Sequence, residues 1–311
     1  MEVLITGGTG SFGQAMTLKL LKDDFWERIA IYSRDEFKQH QMIQQFGEFP
    51  IGGRLRFFVG DVRDLRNLRR AMKGIDVVIH AAALKQIPSC EYNPWEAVQT
   101  NIQGSWNVIN ASIENGVRKV IILSSDKAVN PINCYGATKL VAEKLFINSN
   151  TLGRKITRFS VIRYGNVLAS RGSVLQMFSE QARDGALKVT DKRMTRFWWS
   201  LREVVDFTTR VMEWMRGGEI FIPKLQSASI VDLARSVSDS VPIEETGIRA
   251  GEKIHECLIA PDEIRRTSDM GWAYIIKPDN PFFEYMGKED CLVPIDFSYT
   301  SDNPDFCRKE F

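Results

Sequence analysis

The feature that most restricts what this chain can fold into stands at its start. The apolar run Val3-Leu4-Ile5-Thr6 passes directly into Gly7-Gly-Thr-Gly10-Ser-Phe-Gly13. From Ser11 to Lys22 apolar residues then recur at helical spacing: Phe12, Ala15, Met16, Leu18, Leu20 and Leu21. Strand, glycine turn and helix in that order leave few architectures open. Glycines there permit positive φ and close approach of a ligand to the backbone. The helix N-terminus behind them offers amide hydrogens and partial positive charge to a pyrophosphate. The loop lacks the Gly-Lys-Ser/Thr ending of a triphosphate-binding loop. Three glycines can also make a plain tight turn, so the meaning of this one depends on the elements downstream of it.

Those elements keep a rhythm. Short apolar runs at 29–32, 55–59, 77–80, 120–123 and 159–162 alternate with stretches of helical spacing at 35–46, 65–72, 95–115 and 134–148. Strands alternating with helices imply crossover connections and a parallel sheet covered on both faces. Right-handed crossovers make that sheet doubly wound. The expectation is an α/β fold, a Rossmann-type doubly wound parallel sheet with a smaller C-terminal substrate-binding domain. From about Arg171 the rhythm loosens, and Trp198, Trp199 and Trp214 appear among mixed short elements. Residues 1–170 are expected to form the dinucleotide-binding domain, with later segments free to return to it, and 171–311 mostly the substrate-binding domain.

Charge and cysteine usage narrow the function. Forty-one basic residues against 39 acidic ones give a net charge of +2, which points to neither nucleic acid nor an anionic membrane surface. The five cysteines fall at unrelated spacings with no C-x-x-C pair, and the three histidines are far apart. No metal site is expected, and free thiols suit a reducing cytoplasm. No signal peptide or membrane span is read from the sequence.

In a doubly wound sheet, ligands bind beyond the C-terminal ends of the strands, so the residues just after each strand are the informative ones. From the first strand these are Thr6, Gly7, Gly10, Ser11, Phe12 and Gly13. After the second come Ser33, Arg34, Asp35 and Lys38. An acid at that strand end would hold a ribose hydroxyl, whereas Arg34 suits a 2′-phosphate and hence NADP. Asp35 and Glu36 also suit a first helical turn. Asp61 and Val62 follow the third strand, where the carboxylate could accept from an adenine amine or cap the next helix. Ala81, Ala82 and Ala83 give a small-residue floor after the fourth, with Lys85 beyond it. Ser124 and Ser125 end the fifth strand. Tyr135 and Lys139 then share one helix face at i, i+4. A tyrosine beside an ammonium can take a proton from a sugar hydroxyl while hydride leaves. Tyr164 and Asn166 follow the sixth strand. Asp126 and Lys127, read alone, are a solvated surface pair, yet they stand where the ligand should lie. Asn130-Pro131 is placed to turn the chain, and Asn133 to cap the helix that carries Tyr135.

Five stretches carry a closer resemblance: 82–94 (AALKQIPSCEYNP), 125–139 (SDKAVNPINCYGATK), 163–167 (RYGNV), 191–197 (DKRMTRF) and 247–256 (GIRAGEKIHE). Together they resemble the inverting UDP-N-acetylglucosamine 4,6-dehydratases of pseudaminic acid synthesis, in the extended short-chain dehydrogenase/reductase superfamily. The resemblance implies NADP as cofactor, UDP-N-acetylglucosamine as substrate and a homo-oligomer, with a hexamer as one form. It implies that Tyr135, with Lys139 and Ser125, oxidises carbon 4. Lys127 then removes the carbon 5 proton and Asp126 protonates the departing carbon 6 hydroxyl. It assigns Lys85, Lys127, Asn166, Val174, Thr195, Arg249 and Glu252 to the substrate, with Arg249 suited to the diphosphate. Arg193 and Arg196 are further cations, with surface ion pairs as their alternative. His80 and His255 are read as structural. Other readings are a UDP-sugar 4-epimerase, a retaining dehydratase, and a non-enzymatic NADP(H)-sensing regulator.

Overall fold

A computed structural model describes residues 1–47, 53–153, 156–168, 174–287 and 291–307. The apolar runs of the first half form six parallel strands: β1 (Glu2–Thr6), β2 (Arg28–Ser33), β3 (Leu55–Val59), β4 (Val77–His80), β5 (Lys119–Leu123) and β6 (Arg158–Ile162). They lie in the order 3-2-1-4-5-6, so the winding reverses between β1 and β4. That reversal opens a crevice above the glycine loop. Alternate residues of each strand face opposite layers. Leu4, Ala30, Val78, Val120 and Val161 join one core, while Val3, Ile5, Ile29, Ile31, Ile79 and Ile121 join the other. This is the expected doubly wound α/β sheet.

Helices α1 (Ser11–Leu21), α2 (Glu36–Gln45) and α3 (Leu65–Ala71) follow the first three strands. The stretch 95–115, expected as one helix, is divided. It runs as α5 (Pro94–Ala97), a π-helical turn (Val98–Gln103) and α6 (Gly104–Glu114), after a separate short α4 (Ile87–Tyr92). Asn93-Pro94 breaks the chain, because proline is tolerated at a helix start and not inside. The wide turn holds Asn101, whose side chain serves a neighbouring loop. It accepts from Leu84 N (2.8 Å) and donates to Leu84 O (2.9 Å) and Thr138 Oγ1 (3.0 Å). It thereby ties the loop after β4 to α7 (Cys134–Asn148).

Beyond residue 173 the chain builds small layers and also returns to the sheet. The expected boundary at 170 and 171 lies outside the described residues. Strands β7 (Asn166–Val167), β8 (Leu187–Val189), β9 (Thr195–Trp199), β10 (Ile220–Pro223), β11 (Gln226–Ser229), β12 (Ile243–Glu245), β13 (Cys257–Ile259), β14 (Thr267–Asp269), β15 (Ala273–Ile276) and β16 (Tyr299–Thr300) complete the strand set. Of these, β10, β15 and β14 extend the main sheet past β6 to nine strands among the described residues. The strands β11, β9 and β7 form a second sheet, with β8–β12 and β13–β16 as pairs. Helices α8 (Val174–Asp184) and α10 (Ile230–Val237) cover β8 and β9 around Phe178, Leu187, Met194 and Leu233. Helix α9 (Leu201–Trp214) packs beside α1.

One buried ion triad ties these parts together. Arg163, after β6, is about 1% exposed and bonds Glu143 of α7 (2.7 Å) and Glu263 before β14 (2.7 Å). Among the described residues no helix is long and apolar enough to cross a membrane.

Candidate active site

The crevice above β1, β4, β5 and β6 has a volume of about 640 Å³. Gly7, Gly10, Ser11, Phe12 and Gly13 line one end, with Ala81, Ala82 and Ala83 beside them. Gly7 adopts φ +65, and a Cβ there would come within 2.9 Å of the Ala82 backbone. A Cβ on Gly13 would collide with the backbone of Gly8. Glycine is thus required both for conformation and for space. Helix α1 starts at Gly10 with no side-chain cap and no acidic residue in its first turn. Its positive end is not offset from within the helix, which suits a dinucleotide's phosphates. Thr6 lies beneath this cradle instead of lining it, its hydroxyl 2.7 Å from His80 Nδ1. His80 is buried, bonded on its other side to Ser105 (3.2 Å), and burial pushes its imidazole down to about 3. It is structural.

A smaller side pocket of about 170 Å³ opens at the end of β2, lined by Ser33, Arg34, Asp35, Lys38 and Val62. Asp35 is already occupied. It caps α2 by accepting from Lys38 N (3.0 Å) and pairs with Lys38 Nζ (2.7 Å), and these bonds hold its carboxyl below the usual range. Arg34 is half exposed and stands 3.7 Å from Asp61. Asp61 lines neither pocket. Its carboxylate is bound by the Arg63 amide (2.9 Å) and guanidinium (2.8 Å), so the expected adenine contact meets an acceptor already in use.

The proton chemistry gathers at the end of β5. Ser124 and Ser125 lead into a single 3₁₀ turn, Asp126–Ala128. Ser125 Oγ donates to Asp126 Oδ1 (2.8 Å) and accepts from Lys127 N (3.2 Å). Lys127 Nζ donates to the same Asp126 Oδ1 (3.0 Å). Asp126 Oδ2 is buried with no hydrogen-bond partner. Asn130 then takes φ +45, which asparagine tolerates. Asn133 caps α7 by accepting from Gly136 N (2.7 Å). Helix α7 presents Tyr135 and Lys139 to the crevice. Gly136 lets it come close, because a Cβ there would overlap Lys127's carbonyl oxygen. The Asp126–Lys127 turn and the Tyr135–Lys139 face are thereby pressed together.

Their environments differ in sign. Burial pushes the Tyr135 phenol up to about 12, against the pull of Lys127's charge and a Ser125 hydrogen bond. Burial brings the Lys139 ammonium down to about 8, with Glu143 opposing, and its Nζ donates to Leu123 O (2.6 Å). Burial works against charge on Lys127 too, but Asp126 and Glu256 outweigh it and its ammonium is held well above the usual lysine range.

The far wall carries Lys85, Tyr164, Asn166, Val174, Arg249 and Glu252. Asn166 Oδ1 is buried without a partner, and Arg249 Nε pairs with Glu252 (3.3 Å). Thr195 is not on that wall: its hydroxyl is bonded to His255 Nδ1 (2.8 Å) and Ser301 Oγ (2.7 Å). The neighbouring Arg196 lines the crevice instead, anchored to the carbonyls of Ile254 and Lys253 (both 2.8 Å). Arg193 is an exposed partner of Asp191 (2.6 Å). Sequence reasoning passed over Glu256, 3.4 Å from Lys127 Nζ and 3.7 Å from Arg196 Nε. No spacing rule links it to Lys127; only the packing of β13 against the 3₁₀ turn does.

A sequence model of the family described as Polysaccharide biosynthesis protein matches residues 3–278. The UDP-N-acetylglucosamine 4,6-dehydratase (inverting) of Campylobacter jejuni subsp. jejuni serotype O:2 is 49% identical, covering 97% of this chain and 92% of that protein. The UDP-glucose 4-epimerase of Rickettsia akari is 41% identical, covering 97% and 91%. The X-ray structure of Pen from Bacillus thuringiensis is 35% identical with a TM-score of 0.89, covering 97% of this chain and 92% of that one.

Proposed function

The chain belongs to the polysaccharide biosynthesis protein family, among the extended short-chain dehydrogenase/reductases, and we propose that it acts there as an inverting UDP-N-acetylglucosamine 4,6-dehydratase. One observation carries the reading: a pair of buried Asp126 and half-buried Lys127, bonded at 3.0 Å, is held against Tyr135 by the close approach at Gly136. Oxidation at carbon 4 alone has no use for that pair.

The residues divide the work. As the phenolate that the positive charges of Lys139 and Lys127 favour, Tyr135 takes the proton of the carbon 4 hydroxyl. A nicotinamide dinucleotide, when bound, would supply the redox chemistry: hydride uptake from carbon 4 and its return at carbon 6. Glycines 7, 10 and 13 and the start of α1 would hold its pyrophosphate. Once carbon 4 is a ketone, the carbon 5 proton is acidified. Removing it requires a neutral amine, and expelling the carbon 6 hydroxyl requires an acid, because hydroxide is a poor leaving group. As an ion pair, Asp126 and Lys127 hold the opposite forms. A single proton moved along their 3.0 Å bond corrects both, giving a neutral Lys127 and a protonated Asp126 without exchange with solvent. Lys127 Nζ then takes the carbon 5 proton, and Asp126 gives its proton to the leaving oxygen as water; once hydride has reached carbon 6, carbon 5 takes a solvent-derived proton on the opposite face, which inverts it. Arg196 and Arg249 supply cations for the diphosphate, and the orphaned Asn166 Oδ1 an acceptor for the sugar.

NADP is the cofactor form the side pocket favours, since Asp35 is committed to Lys38 and Arg34 stands half exposed at the mouth. The exposed Trp106 and Val141 on the adjoining α6 and α7 support a homo-oligomer. The 41% identity to a protein named as a UDP-glucose 4-epimerase makes carbon 4 epimerisation the second reading.

The test is incubation with UDP-N-acetylglucosamine in deuterated water without added reductant, followed by mass spectrometry and proton NMR. Loss of water with deuterium at carbon 5 supports a dehydratase. An isomer of unchanged mass would replace it with an epimerase, and NADPH binding without turnover with a sensor.

A further inference from the structure

Glu256 has no part in the roles assigned so far, yet it is placed like a working residue. Its side chain is 2% exposed, with Oε1 3.4 Å from Lys127 Nζ and 3.7 Å from Arg196 Nε. Its Oε2 is buried with no hydrogen-bond partner. The backbone is fixed independently of that carboxylate. Glu256 N donates to Ser301 Oγ (2.8 Å), and Glu256 O accepts from Ser301 N (2.8 Å). Buried carboxylates retained for structure normally satisfy both oxygens; an orphaned oxygen beside a reactive pair calls for another reason.

Resting on the dehydratase reading above, we propose that Glu256 is a positioning residue for the elimination, which clamps the Lys127 ammonium and keeps in the site the one proton that Asp126 and Lys127 share. The pair works only while it holds that proton. If Lys127 loses it to solvent, Asp126 stays ionised and no acid remains to protonate the leaving hydroxyl. Burial alone favours that loss, because it penalises the ammonium. Asp126 opposes the loss from one side and Glu256 from the other. Arg196 acts in the opposite sense on Lys127 while balancing Glu256. Tyr135 faces the pair from α7, and Lys253 stands nearby, bonded to Val129 O. In the working step one Lys127 N–H bond breaks and one Asp126 O–H bond forms. Elimination then breaks that O–H bond and the carbon–oxygen bond to release water, while Lys127 regains a proton from carbon 5. Glu256 neither gains nor loses a proton in the cycle.

Glu256→Gln keeps the shape and removes the charge. The free protein, labelled with ¹³Cε-lysine and assigned through Lys127→Arg, should show Lys127 titrating roughly 1–3 pH units lower than in the wild type. In turnover, kcat should fall at least tenfold, because Lys127 Nζ is no longer held in place beside Asp126, with KM for UDP-N-acetylglucosamine little changed, and Glu256→Asp should recover part of both effects. An unchanged Lys127 titration in Glu256→Gln overturns the proposal, as does a Glu256→Asp protein that titrates like wild type yet turns over no faster than Glu256→Gln. If Glu256→Gln does not fold, the titration in Glu256→Asp decides alone. A wild type that never releases water from the sugar nucleotide would sink the dehydratase reading and still leave the Lys127 titration to judge Glu256.

Discussion

Replacing Gly136 by alanine tests whether the crevice depends on how closely α7 meets the catalytic turn. An added Cβ would overlap Lys127's carbonyl oxygen and lie 3.0 Å from its carbonyl carbon and 3.1 Å from Pro131 Cβ. The first two are backbone atoms, so no side chain can swing away to make room. Alanine should help the helix itself by about 0.5–1 kcal/mol. Overpacking of this kind costs about 1–3 kcal/mol. The net loss of stability should therefore be modest, from near zero to about 2.5 kcal/mol, and a few degrees in Tm. Activity should suffer far more. A catalytic group displaced by about 1 Å can lose about 100-fold in rate, and the turn that must yield carries Asp126 and Lys127. Gly116→Ala is the control. Gly116 has φ +67 with nothing within 4 Å of an added Cβ, so backbone strain should cost about 1–2 kcal/mol and leave kcat intact. Thermal melts and the rate of water loss separate the two. A Gly136→Ala protein with wild-type kcat would refute the claim that this contact aligns the pair.

Buried charge sets three further outcomes. Arg163→Met should cost about 3–5 kcal/mol in denaturant unfolding, because it strands Glu143 and Glu263 without their cation; an unchanged midpoint would contradict this. His80 is held neutral in the folded chain, down to about 3, against an ordinary value of 6.5. The unfolded chain therefore binds the extra proton first, and stability should be full above pH 6.5 and fall below it by up to about 1.4 kcal/mol per unit. In His80→Gln that slope should flatten, and an equally steep one would assign the acid sensitivity elsewhere. Lys139, brought down to about 8, loses its charge as pH rises through that value. The Tyr135 phenolate then loses support, so kcat should decline above about pH 8, and a rate still climbing at pH 10 would remove Lys139 from the redox step.

The sheet was legible because its signals are local. Buried parallel strands read as continuous apolar runs, and the run at 77–80 matches β4 residue for residue; the run at 55–59 also matches β3, the edge strand, where Arg56 and Val59 are exposed. The turn that carries Asp126 and Lys127 was legible for a related reason: Asn130, Pro131 and Asn133 each act within a few residues of themselves. Asp35 shows the limit of such reading. The same residue could hold a ribose or cap a helix, and only the bond to Lys38 N decides. The later strands were harder. β10 and β15 return to the main sheet across long connections, and three- and four-residue strands carry little periodicity. Glu256 was invisible because its meaning is wholly tertiary. Thr195 was placed on the crevice beside Arg196, but in an extended strand neighbouring side chains point to opposite faces, and only Arg196 lines it.

Two lysines twelve positions apart show how the fold assigns roles that residue type cannot. Lys127 and Lys139 have the same side chain, and both are enclosed. Lys139 meets a neutral carbonyl at Leu123 and one carboxylate at Glu143, and burial wins: its ammonium is brought down to about 8. Lys127 meets two carboxylates, and charge wins: its ammonium is stabilised. The first can serve as a removable positive charge beside a phenol. The second can keep a proton until its hydrogen-bonded neighbour needs one. A sequence that supplied only Tyr135 and Lys139 would suffice for oxidation and return at carbon 4. In the proposed mechanism elimination needs a second proton-handling pair whose proton does not leak to water, and two carboxylates from distant parts of the chain would hold that proton. Asp126 comes from the turn after β5 and Glu256 from the strand-leading segment before β13. On that proposal the reaction is written partly in a motif and partly in the return of the C-terminal half to the crevice.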